Sequence, residues 1–221
     1  MTETTSSVSA PAKAWNEMQR GNARFVAGEP RHPRQDVDRR HELANGQRPR
    51  AALFGCSDSR LAAEIIFDKG LGDLFVVRNA GQVISESVVG SLEYAVAVLG
   101  VPLIVVLGHD ECGAVRAAID STDPRSAPLP PHIWRLISPI VPAVRRVQRV
   151  VTDDDAPAPV DAEEVGREHL RDTVAELLHS SELISEAVAA GRVAIVGANY
   201  RLDEGLVVPD VIVGDAGHSH P

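Results

Sequence analysis

Only two cysteines occur in the 221 residues, Cys56 and Cys112. The disulfide frameworks that staple small secreted domains use more. No apolar run approaches the ~20 residues needed to span a bilayer. Positive charge is also scarce: 22 Lys and Arg stand against 31 Asp and Glu, a formal charge of −9. That balance argues against nucleic acid or an anionic membrane as partner, and solubility alone accounts for its sign. The first ten residues are rich in Ser and Thr and carry neither a basic n-region nor an apolar h-region, so they do not read as a signal peptide. No internal repeat is found. What remains is a reduced, cytoplasmic chain of ordinary globular composition, long enough for one well-filled domain and short for two.

The two cysteines that are present sit in two stretches of the same kind. Ala51-Ala52-Leu53-Phe54-Gly55 is an apolar run that empties into Cys56-Ser57-Asp58-Ser59-Arg60, and the helix-like Ala62-Ala63-Glu64-Ile65-Ile66 follows. Leu103 to Leu107 likewise empties into Gly108-His109-Asp110-Glu111-Cys112-Gly113. Each reads as a buried strand delivering ligand-type side chains at its carboxyl end.

In chain order, residues 1–11 read as a disordered N-terminus, 12–213 as one domain and 214–221 as a flexible tail ending in His218-Ser219-His220, at most an adventitious terminal metal binder. A loosely amphipathic helix is expected over 12–27, with a face small enough that it extends onto a partner subunit. Strand two is expected at Asp73–Val77, with Arg78-Asn79-Ala80-Gly81 as its exit turn. A helix follows from Ser85 to Leu99, where Val88, Val89, Leu92, Ala95, Val96 and Leu99 form one face at period 3.6. Residues 121–131 are a proline-rich loop, and the helix of 133–151 is interrupted by Pro139 and Pro142. Residues 153–159 are a linker, and 161–190 form one long helix, on which His169 and His179 are expected to face solvent. Strand four is Arg192–Gly197, and the short connection to a strand over Gly205–Val213 implies an antiparallel edge.

The pattern predicts a single-domain α/β fold with a mostly parallel central sheet and helices on both faces. For Cys56 to meet His109 and Cys112, strands one and three must be neighbours. The order is then 2-1-3-4, with antiparallel strand 5 at the edge and the ligands at the switch point.

Two thiolates and an imidazole form a zinc set. Zinc takes thiolate at ~2.3 Å and imidazole at ~2.0–2.1 Å, usually with four ligands, so a Cys₂His set leaves one position open, as catalytic sites do. A lone Cys56–Cys112 disulfide is the plain alternative, but it needs no His109 beside its partner. Asp58 and Arg60 are placed to pair. As a surface ion pair they would be worth ~0–1 kcal/mol. As a functional pair, Arg60 would hold a carboxylate that accepts a hydrogen bond from the zinc-bound nucleophile, or Asp58 would itself become the fourth ligand and block the site.

These residues together resemble a bacterial β-class carbonic anhydrase, as do Asn22-Ala23-Arg24-Phe25, Val77-Arg78-Asn79-Ala80-Gly81 and Gly90-Ser91-Leu92-Glu93-Tyr94-Ala95-Val96. The similarity runs from about residue 13 to 213. It implies one Zn²⁺ per chain on Cys56, His109 and Cys112, and reversible hydration of CO₂ to bicarbonate by zinc-bound hydroxide, gated by an Asp58–Arg60 dyad. It implies a homo-oligomer, a dimer or dimer of dimers. It places Gln47, Phe75, Ala80, Tyr94 and Gly113 as substrate-binding residues, Tyr94 across the dimer. Some bacterial members carry a tryptophan three residues before the first cysteine, in an allosteric bicarbonate pocket; Leu53 stands there in this chain and argues against that pocket. Two other functions fit the same residues: hydrolysis of CS₂ or COS on this scaffold, and a non-enzymatic zinc or redox sensor that exchanges metal for a disulfide.

Overall fold

The computed structural model describes residues 8–151 and 160–217. The expected linker at 153–159 and the terminal His218 and His220 lie outside them.

Five strands form one sheet: β1 (Ala51–Cys56), β2 (Leu74–Asn79), β3 (Leu103–His109), β4 (Ala194–Arg201) and β5 (Leu206–Val213), in the order β2-β1-β3-β4-β5. The pairs β1–β2, β1–β3 and β3–β4 are parallel and β4–β5 is antiparallel. The order inferred from ligand convergence is therefore the one observed. Every residue of β1 and of β3 is buried, the continuous apolar pattern of a parallel strand covered on both faces.

The pleat divides the core in two. Ala51 and Leu53, with Leu103, Val105 and Leu107, point to one side; Ala52 and Phe54, with Ile104 and Val106, point to the other. The first side is covered by α1 (Ala10–Val26), α3 (Ala63–Ile66), α5 (Gly113–Asp120), α6 (Pro131–Ile137) and α7 (Val141–Val151). The second is covered by α4 (Glu86–Ala97) and by most of the buried face of α8 (Ala162–Ser180) and α9 (Glu182–Ala189). A short α2 (Val37–Glu42) precedes β1.

Several expectations are corrected. The helix α1 begins at Ala10, capped by Ser9 and with Pro11 in its first turn, earlier than the expected residue 12. Its apolar side does not wait for a partner subunit: Trp15 and Met18 are each 1% exposed within the chain itself. Asn22 locks it there, donating to the carbonyls of Ile66 and Gly205 and accepting from the amide of Val207. The single helix expected over 161–190 is two, because Ser181 leaves helical geometry and caps α9 through the amide of Ile184, while its hydroxyl also donates to Glu93. β2 continues through Arg78 and Asn79, which the sequence reading assigned to a turn.

Candidate metal centre

Cys56 is the last residue of β1, His109 the last of β3, and Cys112 the N-cap of α5. All three are buried, and one ligand atom from each lies within 4.8 Å of the others. Among the described residues this is the one cluster of its kind. His109 Nδ1 lies 2.7 Å from the carbonyl of Asp110. A carbonyl only accepts, so Nδ1 carries the proton and Nε2 presents a lone pair. Nε2 is buried and has no hydrogen-bond partner among the described residues. A buried acceptor without a partner, beside two thiols, is what a cation ligand looks like before its cation is added.

Both cysteines are free, and their ionisation is linked. The Cys56 thiol is pushed down, chiefly because Cys112 donates to it; burial opposes this, while the amides of Gly81 and Asp58 reinforce it. The same contact, together with burial, pushes Cys112 up. The pair thus shares one proton. A dication on the two sulfurs replaces that proton and makes both thiolates, so the donor set fits Zn²⁺: two thiolates and one neutral imidazole on a soft-to-borderline ion.

Asp58 sits at the rim and is outside the cluster. Its carboxylate accepts from Arg60 Nε at 2.9 Å and Nη2 at 2.8 Å, and from the Arg60 amide at 2.9 Å. Arg60 is anchored in turn by donating to the carbonyl of Glu111, at 3.1 Å. The hydrogen bonds from Arg60 hold the Asp58 carboxyl well below the usual carboxylate range, against a smaller opposing push from burial. Asp58 Oδ2 lies 4.0 Å from His109 Nε2, so the ionised carboxylate borders the cluster while both its oxygens are engaged by arginine.

The carbonic anhydrase family model matches residues 51–207, from β1 into β5. The chain is 50% identical over 207 residues to carbonic anhydrase 2 of Mycobacterium tuberculosis, covering 94% of this chain and 96% of that one. It is 46% identical to the carbonic anhydrase of Mycolicibacterium smegmatis over 209 residues, covering 95% and 98%. Among solved structures it superposes on the β-carbonic anhydrase CcaA with a TM-score of 0.65 at 26% identity, covering 92% of this chain and 94% of that one. This chain belongs to the β-class carbonic anhydrases. Its bacterial affiliation is borne out by the same relatives, and family membership together with the Cys-His-Cys cluster supports CO₂ hydration.

The other residues assigned to this carbonic anhydrase's site are not gathered as tightly. Phe75 on β2 is half-buried and stacks at a tilt on Tyr94 of α4, with ring centroids 6.2 Å apart. Tyr94 remains 47% exposed. Ala80 and Gly113 are exposed beside the ligand-bearing turns. Gln47 is exposed too, and lines a separate hollow with Arg39, Glu42, Leu43 and Arg48, away from the metal cluster.

Two residues were missed or misread. Arg78 donates to the carbonyls of Cys56 and Asp58, at 2.9 and 2.6 Å, and so braces the first motif from β2. Its place in Val77-Arg78-Asn79-Ala80-Gly81 was the available signal. His169, expected to face solvent, is 3% exposed. A histidine on the apolar stripe of α8, one residue before Leu170, was the warning.

Proposed function

We infer that this protein catalyses zinc-dependent, reversible hydration of CO₂ to bicarbonate, with Cys56, His109 and Cys112 as zinc ligands. The observation that carries this reading is the three-ligand cluster with an ionised, arginine-held carboxylate at its edge. Zinc held there would lower the pKa of a bound water and so supply the nucleophile. The chain's own residues do the rest. Two thiolates and one imidazole leave a dication's site neutral and one position open. Asp58 accepts a hydrogen bond from the nucleophile and orients it. Arg60 keeps Asp58 from taking the open position itself, through a paired, geometrically specific contact. Phe75 and Ala80 offer an apolar wall for CO₂. Tyr94 and Gly113 complete the substrate pocket, with Tyr94 acting across a subunit boundary, while Gln47 stays in its separate hollow and is left out of it.

The functional unit is a homodimer or a pair of dimers. Tyr94, Val98 and Ile65 stand 47%, 63% and 58% exposed in the chain alone, and solved relatives from Sordaria macrospora, 25% identical with a TM-score of 0.64 over 85% of this chain and 90% of theirs, are described as tetrameric. The location is cytoplasmic, in keeping with two thiols kept reduced. No helix among the described residues is long and apolar enough to cross a membrane. The domain proper takes in α1 from Ala10 and reaches Ala216, which is 2% exposed in the core, beyond the expected bounds of 12 and 213.

Activity rises with pH on this reading, because the nucleophile and Asp58 compete for one position and alkali favours the nucleophile. Stopped-flow CO₂ hydration against pH, on protein of measured zinc content, tests it. Zinc-loaded protein without activity at any pH would overturn it. The dyad disfavours a sensor, which has no use for it, and assaying COS and CS₂ beside CO₂ separates the two enzymatic readings.

A further inference from the structure

Cys56 is supported from outside the two motifs. The Gly81 amide donates to Cys56 Sγ at 3.3 Å. Gly81 has φ +81, and a Cβ built there would lie 2.8 Å from the Cβ of Ala114, so the turn brings bare backbone against α5. On the other side of the same residue, the Gly81 carbonyl accepts from His169 Nε2 at 2.7 Å. One turn further along α8, Thr173 Oγ1 lies 3.4 Å from the carbonyl of Gln82 and 2.8 Å from that of His169. Gln82 is itself at φ +41, a conformation that persists only where surroundings enforce it. The helix α8 therefore grips the Gly81 carbonyl of the turn that reaches the sulfur, with the Thr173 hydroxyl lying beside the next carbonyl.

The carbonyl fixes the His169 tautomer. Nε2 is protonated, and Nδ1 is a lone pair, buried and without a partner among the described residues. Burial lowers the pKa of His169 despite the pull of the Gly81 carbonyl, so the ring stays a neutral donor. An orphaned acceptor is a cost that a leucine or phenylalanine here would avoid, so the compensation lies in what Nε2 does.

We propose that His169 is a positioning residue for the metal centre: by holding the Gly81 carbonyl from α8, it sets where the Gly81 amide meets Cys56 Sγ and thereby how firmly that thiolate holds the metal. The two bonds lie on different peptide groups of Gly81, so the effect passes through the position of the residue. An N–H···S bond withdraws charge from the sulfur and fixes its direction; losing it frees the thiolate to turn or take a proton. The proposal rests on Cys56 as a ligand, as read above.

The test uses the full chain with zinc, cobalt(II) or cadmium-113. His169→Leu should stay folded by circular dichroism, yield zinc to a chelator about tenfold more readily or worse, and shift the thiolate-to-cobalt charge-transfer band. His169→Gln, whose amide N–H can reach the same carbonyl, should restore both. A folded His169→Leu protein with parental zinc affinity and cobalt spectrum overturns the proposal, as does a His169→Gln protein no better than it. If His169→Leu does not fold, the parent and His169→Gln decide: with ¹⁵N-glycine and ¹¹³Cd, both should show scalar coupling between the Gly81 amide proton and the metal. Its absence from the parent overturns the proposal. A parent protein with no thiolate charge-transfer band at all would instead remove Cys56 as a ligand, and with it the reading this rests on.

Discussion

Asp58 has both carboxylate oxygens on Arg60 and lies 4.0 Å from the free nitrogen of His109, so substitutions here separate metal binding from turnover. Asp58→Asn should keep its full zinc content while turnover falls about 10–100-fold, the usual scale for a group that orients a metal's surroundings. An amide in place of the carboxylate puts an N–H₂ where an acceptor is needed and weakens the pair with Arg60. Full turnover of Asp58→Asn across the alkaline range would dismiss the dyad and leave the zinc assignment standing. Cys112→Ala should behave differently and lose metal and activity together, because the three-ligand set falls to two and Cys56 loses the neighbour that lowers its pKa. Metal analysis beside stopped-flow CO₂ hydration reads both outcomes. An active, fully loaded Cys112→Ala protein would refute the ligand set.

At the level of elements, α1 gives the sharpest contrast between local propensity and packing. Gly21 lies mid-helix, where alanine is favoured by up to ~1 kcal/mol. Yet a Cβ at Gly21 would sit 1.8 Å from the carbonyl oxygen of Phe67. Gly21→Ala should therefore lower the urea midpoint, and a rise would mean that α1 does not seat on the turn after α3. The close approach lets the neighbouring Asn22 reach Ile66, Gly205 and Val207. None of this was visible in the sequence, where the small apolar face of a loosely amphipathic stretch suggested a helix reserved for another subunit. The sheet was legible because its central strands are uninterrupted apolar runs, and because Cys56, His109 and Cys112 can meet only if β1 and β3 are adjacent. The Ser181 break was written in a local signal, a cap with Glu182 after it, but the apolar stripe from Leu170 to Val188 runs across it and hid it. His169 was misread because a polar residue was assumed to seek water, when its partner is a carbonyl 88 positions away. The site motifs were legible as chemistry; the pocket residues, spread over exposed surfaces, were legible only by resemblance.

Across the whole molecule, acid stability is set in part where α1 meets the chain beyond it. Asp68 is buried, accepting from Arg24 at 2.6 Å and from the amides of Arg31 and His32. Burial pushes its carboxyl up, but these bonds together outweigh burial, and the net shift is down. A carboxyl whose pKa is depressed on folding contributes stability above its unfolded pKa and loses it as pH falls through the folded value. Asp68→Asn should accordingly lower the unfolding midpoint near neutral pH and flatten its decline below about pH 5; parallel pH profiles for parent and variant would contradict this. Light scattering should show more than one chain per particle at working dilution, and an active monomer would refute a shared site. The ligand cluster has a further bearing on the molecule's history in the cell. Cys56 and Cys112 belong to segments separated along the chain by α3, β2, α4 and β3, so an ion that joins them closes a long covalent path as a removable cross-link does. Loss of the ion should lower the melting temperature as well as the rate of reaction. Newly made chains would then compete for zinc while still folding, and a shortage of the metal would show first as a smaller amount of surviving protein.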